Sequence, residues 1–141
     1  MDQFVEFVGN HTLLFVALVA VLGMIVYTEW TRFQGAASAL SPFAATRMLN
    51  DDEAILLDVR SESEYKGGHV LNARNVPLAD FDKRLHELQK FTGRQVVVYC
   101  DNGMRTSRAV AKLKKAGFEK LHTLTGGLAA WEKASLPTVT R

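Results

Sequence analysis

Cysteine occurs once in the 141 residues, at Cys100, which excludes an internal disulfide framework, a cysteine-rich zinc module and a dithiol of the thioredoxin kind. Positive charge is missing from the start of the chain: all 17 Lys and Arg follow residue 31. That absence argues against a secretory signal peptide, because Asp2 and Glu6 stand where cations are needed, and only Ala36-Ala-Ser-Ala39 offers a late, weak cleavage site. Charge of either sign is missing from residues 7–28. There is no internal repeat and no low-complexity tract. With 48% hydrophobic and 23% charged residues, the composition is neither disordered nor collagenous.

What is present falls into two pieces. Residues 1–31 hold only Asp2, Glu6 and Glu29 and sum to −3, whereas residues 32–141 hold 17 cations and 12 anions, a balance of +5. The 22 uncharged residues of the first piece, as a helix, span about 33 Å, enough for a hydrocarbon core of roughly 30 Å. Asn10, His11 and Thr12 weaken the start of the stretch, but it has no polar stripe of the kind a soluble helix shows. Tyr27 and Trp30 suit a membrane interface. Residues 7–28 are therefore expected to contact the membrane as a single-pass anchor within residues 1–31. Arg32, with Arg47 farther on, places the positive flank after the span, which predicts the N-terminus outside and the bulk of the chain in the cytoplasm. A lone cysteine fits that reducing compartment.

Small uncharged residues from Gln34 to Leu40 read as flexible, giving a linker over 32–40 and a domain over 41–141. In the domain, Ser41-Pro42 opens a helix through Leu49, Ala54–Val59 is a strand, and Ser61 to Glu64 is a capping box whose helical turn ends at Gly67-Gly68. A brief strand over Ala73–Val76 precedes an amphipathic helix over Asp80–Lys90. Gln95–Tyr99 is a β-branched run suited to a strand buried on both faces. A helix from Thr106 to Ala116, a strand over Lys120–Leu124, a Gly126-Gly127 turn and a helix over Leu128–Lys133 complete the pattern. Strands alternating with helices predict an α/β fold with a mainly parallel sheet whose ligands sit at the carboxyl ends of the strands.

Cys100 falls at such an end. Asp101-Asn102-Gly103-Met104-Arg105-Thr106-Ser107 lead from it into a helix, so inward-turning amides, a helix N-terminus and Arg105 all favour the thiolate. The competing reading is a buried packing cysteine. A cysteine-phosphatase loop carries one residue more between its cysteine and arginine than the four found here. The smaller loop suits a sulfur atom carried on the cysteine.

Three blocks now resemble a known pattern: Asp58-Val59-Arg60 with Glu64-Tyr65, Gly68-His69-Val70 and Asn75-Val76-Pro77; Val98-Tyr99-Cys100 with Gly103, Arg105, Ser107 and Ala109; and Gly117-Phe118 with Leu124, Gly126-Gly127, Trp131 and Pro137. Residues 41–141 resemble a single-domain rhodanese, a sulfurtransferase homology domain, and the family has membrane-anchored bacterial members. The resemblance implies a doubly wound sheet and no cofactor. It also implies that Cys100 is a nucleophile that takes sulfane sulfur from a donor such as thiosulfate, holds it as a persulfide and passes it to cyanide or a thiol. The amides from Asp101 to Arg105 would stabilise that persulfide, and Arg105 would orient the donor. Asp58 and Arg60 read as scaffold, and His69 as structural, since no other His or Cys lies at metal-ligand spacing. No nucleic-acid partner is implied.

Two residues depart from the pattern. Asp101 stands where many thiosulfate-active members carry a cation, and should raise the thiol pKa and repel a dianion. Asn72 replaces a glycine but tolerates a left-handed turn. Part of the positive excess is expected around Cys100, including Arg108, Lys112, Lys114 and Lys115, either as a solvated face or as a rim for an acidic acceptor or anionic lipid. The chain is thus read as an inner-membrane sulfurtransferase. The alternative is a catalytically weak docking module that recruits a protein partner to the membrane.

Overall fold

The computed structural model describes residues 1–35, 37–52 and 54–140, with residues 31–35 as backbone only. The chain divides into two compact units, Met1–Ala36 and Ala37–Arg141.

The first unit is α1 (Asp2–Asn10) followed by α2 (Thr12–Gly35). The helix is interrupted at His11, whose backbone turns to φ −126° and ψ 36° while its N–H still reaches the Phe7 carbonyl at 3.0 Å. The Thr12 hydroxyl donates to the carbonyls of Val8 and Gly9, both at 3.0 Å, across the break. The polar triplet therefore divides the expected stretch, and the apolar helix long enough to cross a membrane is Thr12–Trp30, with mean hydropathy 2.1, rather than residues 7–28. At 19 residues it spans about 28 Å. Every apolar side chain from Leu13 to Trp30 is exposed.

The expected linker needs correction at both ends. Residues 32–35 continue α2, and Ser38–Leu40 is a strand, β1, that pairs in parallel with residues 122–124. Three small residues carry no periodicity, so this edge strand is defined by its partner and not by its own pattern. The Arg32 side chain, Ala36 and Arg141 lie outside the described residues.

In the second unit, α3 (Pro42–Asn50) is capped by Ser41, which accepts from the Ala44 N–H at 3.2 Å. After it come β2 (Ala54–Asp58), α4 (Glu62–Gly67), β3 (His69–Val70) and β4 (Arg74–Asn75). They are followed by α5 (Phe81–Leu88), β5 (Gln95–Tyr99), α6 (Thr106–Lys115), β6 (Leu121–Leu124), α7 (Gly127–Lys133) and β7 (Thr138–Val139). The main sheet has order β1-β6-β5-β2-β4 with every neighbouring pair parallel; β3 and β7 form a small antiparallel pair.

Residue alternation explains why the sheet is covered on both faces. Ile55, Leu57, Val59, Val96, Val98 and Cys100 join one core with α5 and α6, while Leu56, Val97 and Tyr99 join a second with α3 and α7. Asn72 sits at φ 63°, so the asparagine carries the left-handed turn expected of it. β2 and β5 run side by side, with Asp58 opposite Tyr99, and bring residues 58–60 and the Cys100 loop to one edge of the sheet.

Candidate active site

Cys100 has no exposed surface and belongs to the core, as a packing cysteine would. A packing cysteine does not gather hydrogen-bond donors, and this one does. The Gly103 N–H donates to Sγ at 2.9 Å and the Thr106 hydroxyl at 3.3 Å. Gly103 makes the first of these possible by adopting φ 97°, which turns its amide inward. Burial pushes the Cys100 thiol pKa up, but the Thr106 hydroxyl and the amides of Arg105, Asn102 and Gly103 outweigh it and hold the thiol below its ordinary value. Asn102 shapes the same turn, its side-chain oxygen accepting from the Met104 N–H at 3.2 Å. Met104, at 78% exposed, forms the outside of the loop.

The loop is held from below by α7. The Cys100 carbonyl accepts from the Leu128 N–H at 2.9 Å and the Asp101 carbonyl from the Ala129 N–H at 3.3 Å. The approach is close enough that a Cβ on Gly127 would lie 2.5 Å from the Asp101 carbonyl oxygen. The glycine pair reads from sequence as a turn; its packing against the cysteine loop carries no sequence signal.

Asp58 and Arg60 form a buried pair at the end of β2. Asp58 is fully buried and Arg60 is 3% exposed. Asp58 accepts from the Arg60 backbone N–H at 2.9 Å, and its two oxygens take the guanidinium at 2.7–3.1 Å. The Asn75 side chain donates to the carbonyls of Asp58 and Arg60, which accounts for the asparagine in its block. Arg60 then donates to the Gly68 carbonyl at 2.7 Å and, through Nη1, to Asp101 at 3.3 Å. It therefore links the buried strand end to the loop.

Arg105 is pinned. Its Nη1 and Nη2 donate to the two oxygens of Glu64 at 2.9 Å, and Nη2 also reaches Asp101 at 3.4 Å. The Glu64 carboxyl lies well below the usual carboxylate range because Arg105 and then Ser61 hydrogen-bond its charged form. Glu64 enters the sequence reading as a capping-box residue, which it is, and within the first block of the resemblance, but the same carboxylate also anchors the arginine of the loop.

Two expectations change. Asp101 does not leave the thiol raised: its carboxylate is drawn to Arg60 and Arg105, and the thiol sits below its ordinary value. Nor is the immediate surround positive. Asp58, Glu64 and Asp101 face Arg60 and Arg105, a balance of −1. The basic run on α6 is divided, Lys112 pairing with Asp82 at 2.6 Å while Arg108 and Lys115 are exposed. His69 is buried, stacks on Tyr65 at 3.7 Å and bonds the Tyr65 carbonyl. No group of metal-ligating side chains exists among the described residues.

The rhodanese-like domain family matches residues 41–134. The chain belongs to this family. Its rhodanese-like domain superposes on the crystal structure of the Alr3790 protein from Anabaena with TM-score 0.67 and 33% identity, covering 72% of this chain and 82% of that one. Across its whole length the chain resembles the Escherichia coli (strain K12) protein YibN, 28% identical over 140 residues, 99% of this chain and 98% of the relative. A thiosulfate sulfurtransferase from Pseudomonas aeruginosa shares the fold, at TM-score 0.65 and 24% identity over 76% of this chain and 20% of that one.

A consequence of the Sγ environment is measurable. Thr106→Val removes a hydroxyl donor with little change of volume, so the pH at which the Cys100 thiol becomes half-alkylatable should rise by about one to two units, one charged-acceptor hydrogen bond being worth roughly 1.5–3 kcal/mol. A pH–rate profile of alkylation that matches the wild type would remove Thr106 from this role.

Proposed function

We propose that the protein is a membrane-anchored sulfurtransferase that carries sulfane sulfur on Cys100. The observation that carries this reading is the convergence of the Thr106 hydroxyl and the loop amides on one buried sulfur. Those donors favour a thiolate before reaction, and the same array can hold the terminal sulfur of a persulfide anion afterwards. The Cys100 thiolate attacks the outer sulfur of a donor, the donor's S–S bond breaks, and its remaining part leaves with the bonding pair. A thiophilic acceptor then takes the outer sulfur and regenerates the thiolate. The exposed apolar helix Thr12–Trp30 supports the anchor, and the charge asymmetry supports an inner-membrane position with the domain in the cytoplasm.

Incubation of the full chain with sulfane-sulfur donors, thiosulfate and an alkyl persulfide among them, followed by intact mass measurement, tests the reading. The wild type should gain one sulfur and Cys100→Ser none. If no donor adds sulfur, the fold serves as a docking module instead. Orientation is read separately: in a Cys100→Ser background, Glu119→Cys on the exposed surface should resist a membrane-impermeant thiol reagent in intact cells and label on lysis. Labelling before lysis would place the domain on the other side.

A further inference from the structure

The two guanidinium groups that reach the cysteine loop are both committed within the protein. Arg105 gives two hydrogen bonds to Glu64, and Arg60 is spent on Asp58 and the Gly68 carbonyl. The remaining reach of each arginine, Nη1 of Arg60 and Nη2 of Arg105, ends on Asp101, which presents one oxygen to each at 3.3 and 3.4 Å. These contacts are the longest of the network and the Asp101 side chain is half exposed. Asp101 thus occupies the place where an anion would bridge the two arginines at the loop, and it leaves the surround at −1 before the thiolate adds its own charge.

We propose that Asp101 is a built-in surrogate for the anionic end of a donor: held between Arg60 and Arg105, it disfavours inorganic dianions such as thiosulfate and selects donors that carry sulfane sulfur on an alkyl group, as persulfides. The proposal rests on the reading of Cys100 as a sulfur carrier. The balanced step is attack of the Cys100 thiolate on the outer sulfur of R–S–S⁻, cleavage of that S–S bond, formation of Cys–S–S⁻ and departure of R–S⁻, which takes a proton from solvent. There is no net oxidation or reduction. A monoanionic persulfide meets about half the electrostatic opposition that thiosulfate does.

The initial rate at which Cys100 gains sulfur in the full-length protein tests this, measured by intact mass with thiosulfate and with cysteine persulfide, each relative to a cysteine peptide given the same donor. The wild type should favour the persulfide by about tenfold or more, and Asp101→Asn, which keeps the shape and removes the charge, should raise the ratio of the thiosulfate rate to the persulfide rate about tenfold. The wild-type thiosulfate rate should increase with added salt, as screened repulsion requires, and that of Asp101→Asn should not. A ratio within about twofold of wild type in Asp101→Asn, or a wild type that prefers thiosulfate, overturns the proposal and leaves the sulfurtransferase reading standing. If the variant loses both rates through misfolding, the wild-type donor preference and salt response decide alone. If neither donor loads the wild type, the sulfurtransferase reading falls and this inference with it.

Discussion

Gly127→Ala is expected to dismantle the cysteine loop without touching any residue that reacts. A Cβ at this position would lie within 2.5 Å of the Asp101 carbonyl oxygen, nearer still to that of Cys100, and 2.7 Å from the Asp101 carbonyl carbon. All three atoms are backbone, so no side chain can rotate away, and φ of 61° adds strain for any residue with a Cβ. Left-handed strain and overpacking each cost about 1–3 kcal/mol. The loop can yield only by breaking its hydrogen bonds to Leu128 and Ala129, which position the carbonyls that flank the thiol. The variant should therefore unfold at least about 8 °C lower, at roughly 4–8 °C per kcal/mol for a domain of this size, and the thiol pKa should return toward an ordinary cysteine. An unchanged melting temperature together with an unchanged alkylation profile would show that α7 does not support the loop.

Most of the second unit was legible because its patterns are local. Ser41-Pro42, the Ser61–Glu64 box and the Gln95–Tyr99 run each state their element in adjacent residues, and the structure places α3, α4 and β5 there. Cys100 and Gly103 were legible for the same reason: a loop between a buried strand and a helix is a sequence feature. β1, β3 and β7 were not, since two or three residues cannot show a period and each is defined by a partner far along the chain. The charge at the site was legible in composition but not in direction. The partner of Arg105 is Glu64, 41 residues earlier, and was not legible, because pairing across elements depends on the fold bringing α4 to the loop. Asp101 was read as a local repulsive charge, whereas its partners include Arg60, which only the adjacency of β2 and β5 supplies.

Asp58→Ala should have an effect of similar size by a different cause. It leaves the Arg60 guanidinium at 3% exposure without the carboxylate that accepts its Nε and Nη2 hydrogen bonds. Burial opposes the Arg60 charge, and Asp58 outweighs that opposition, holding the guanidinium pKa above its ordinary value. Removing one partner of a buried ion pair costs about 3–5 kcal/mol, because the other charge stays desolvated. A fall in melting temperature of at least about 12 °C is expected, and Asp58→Asn, which keeps an acceptor, should recover part of it. The Arg60–Asp101 contact should loosen as well, so the double variant with Asp101→Asn should be less impaired than the separate losses add to. A drop of under about 2 °C in Asp58→Ala would mean that Arg60 finds water or another acceptor and that the pair orders little.

The position of α7 in the chain sets the order in which the site comes into being. Cys100 and all five loop residues are synthesised before Gly127, against which Cys100 and Asp101 pack, and β1 waits still earlier for β6 to pair with it. A nascent chain that has just released Arg105 holds the thiol but not the floor of its cradle. The thiol loop therefore gains its full set of backbone supports only once the last helix of the described residues has been made and docks beneath it.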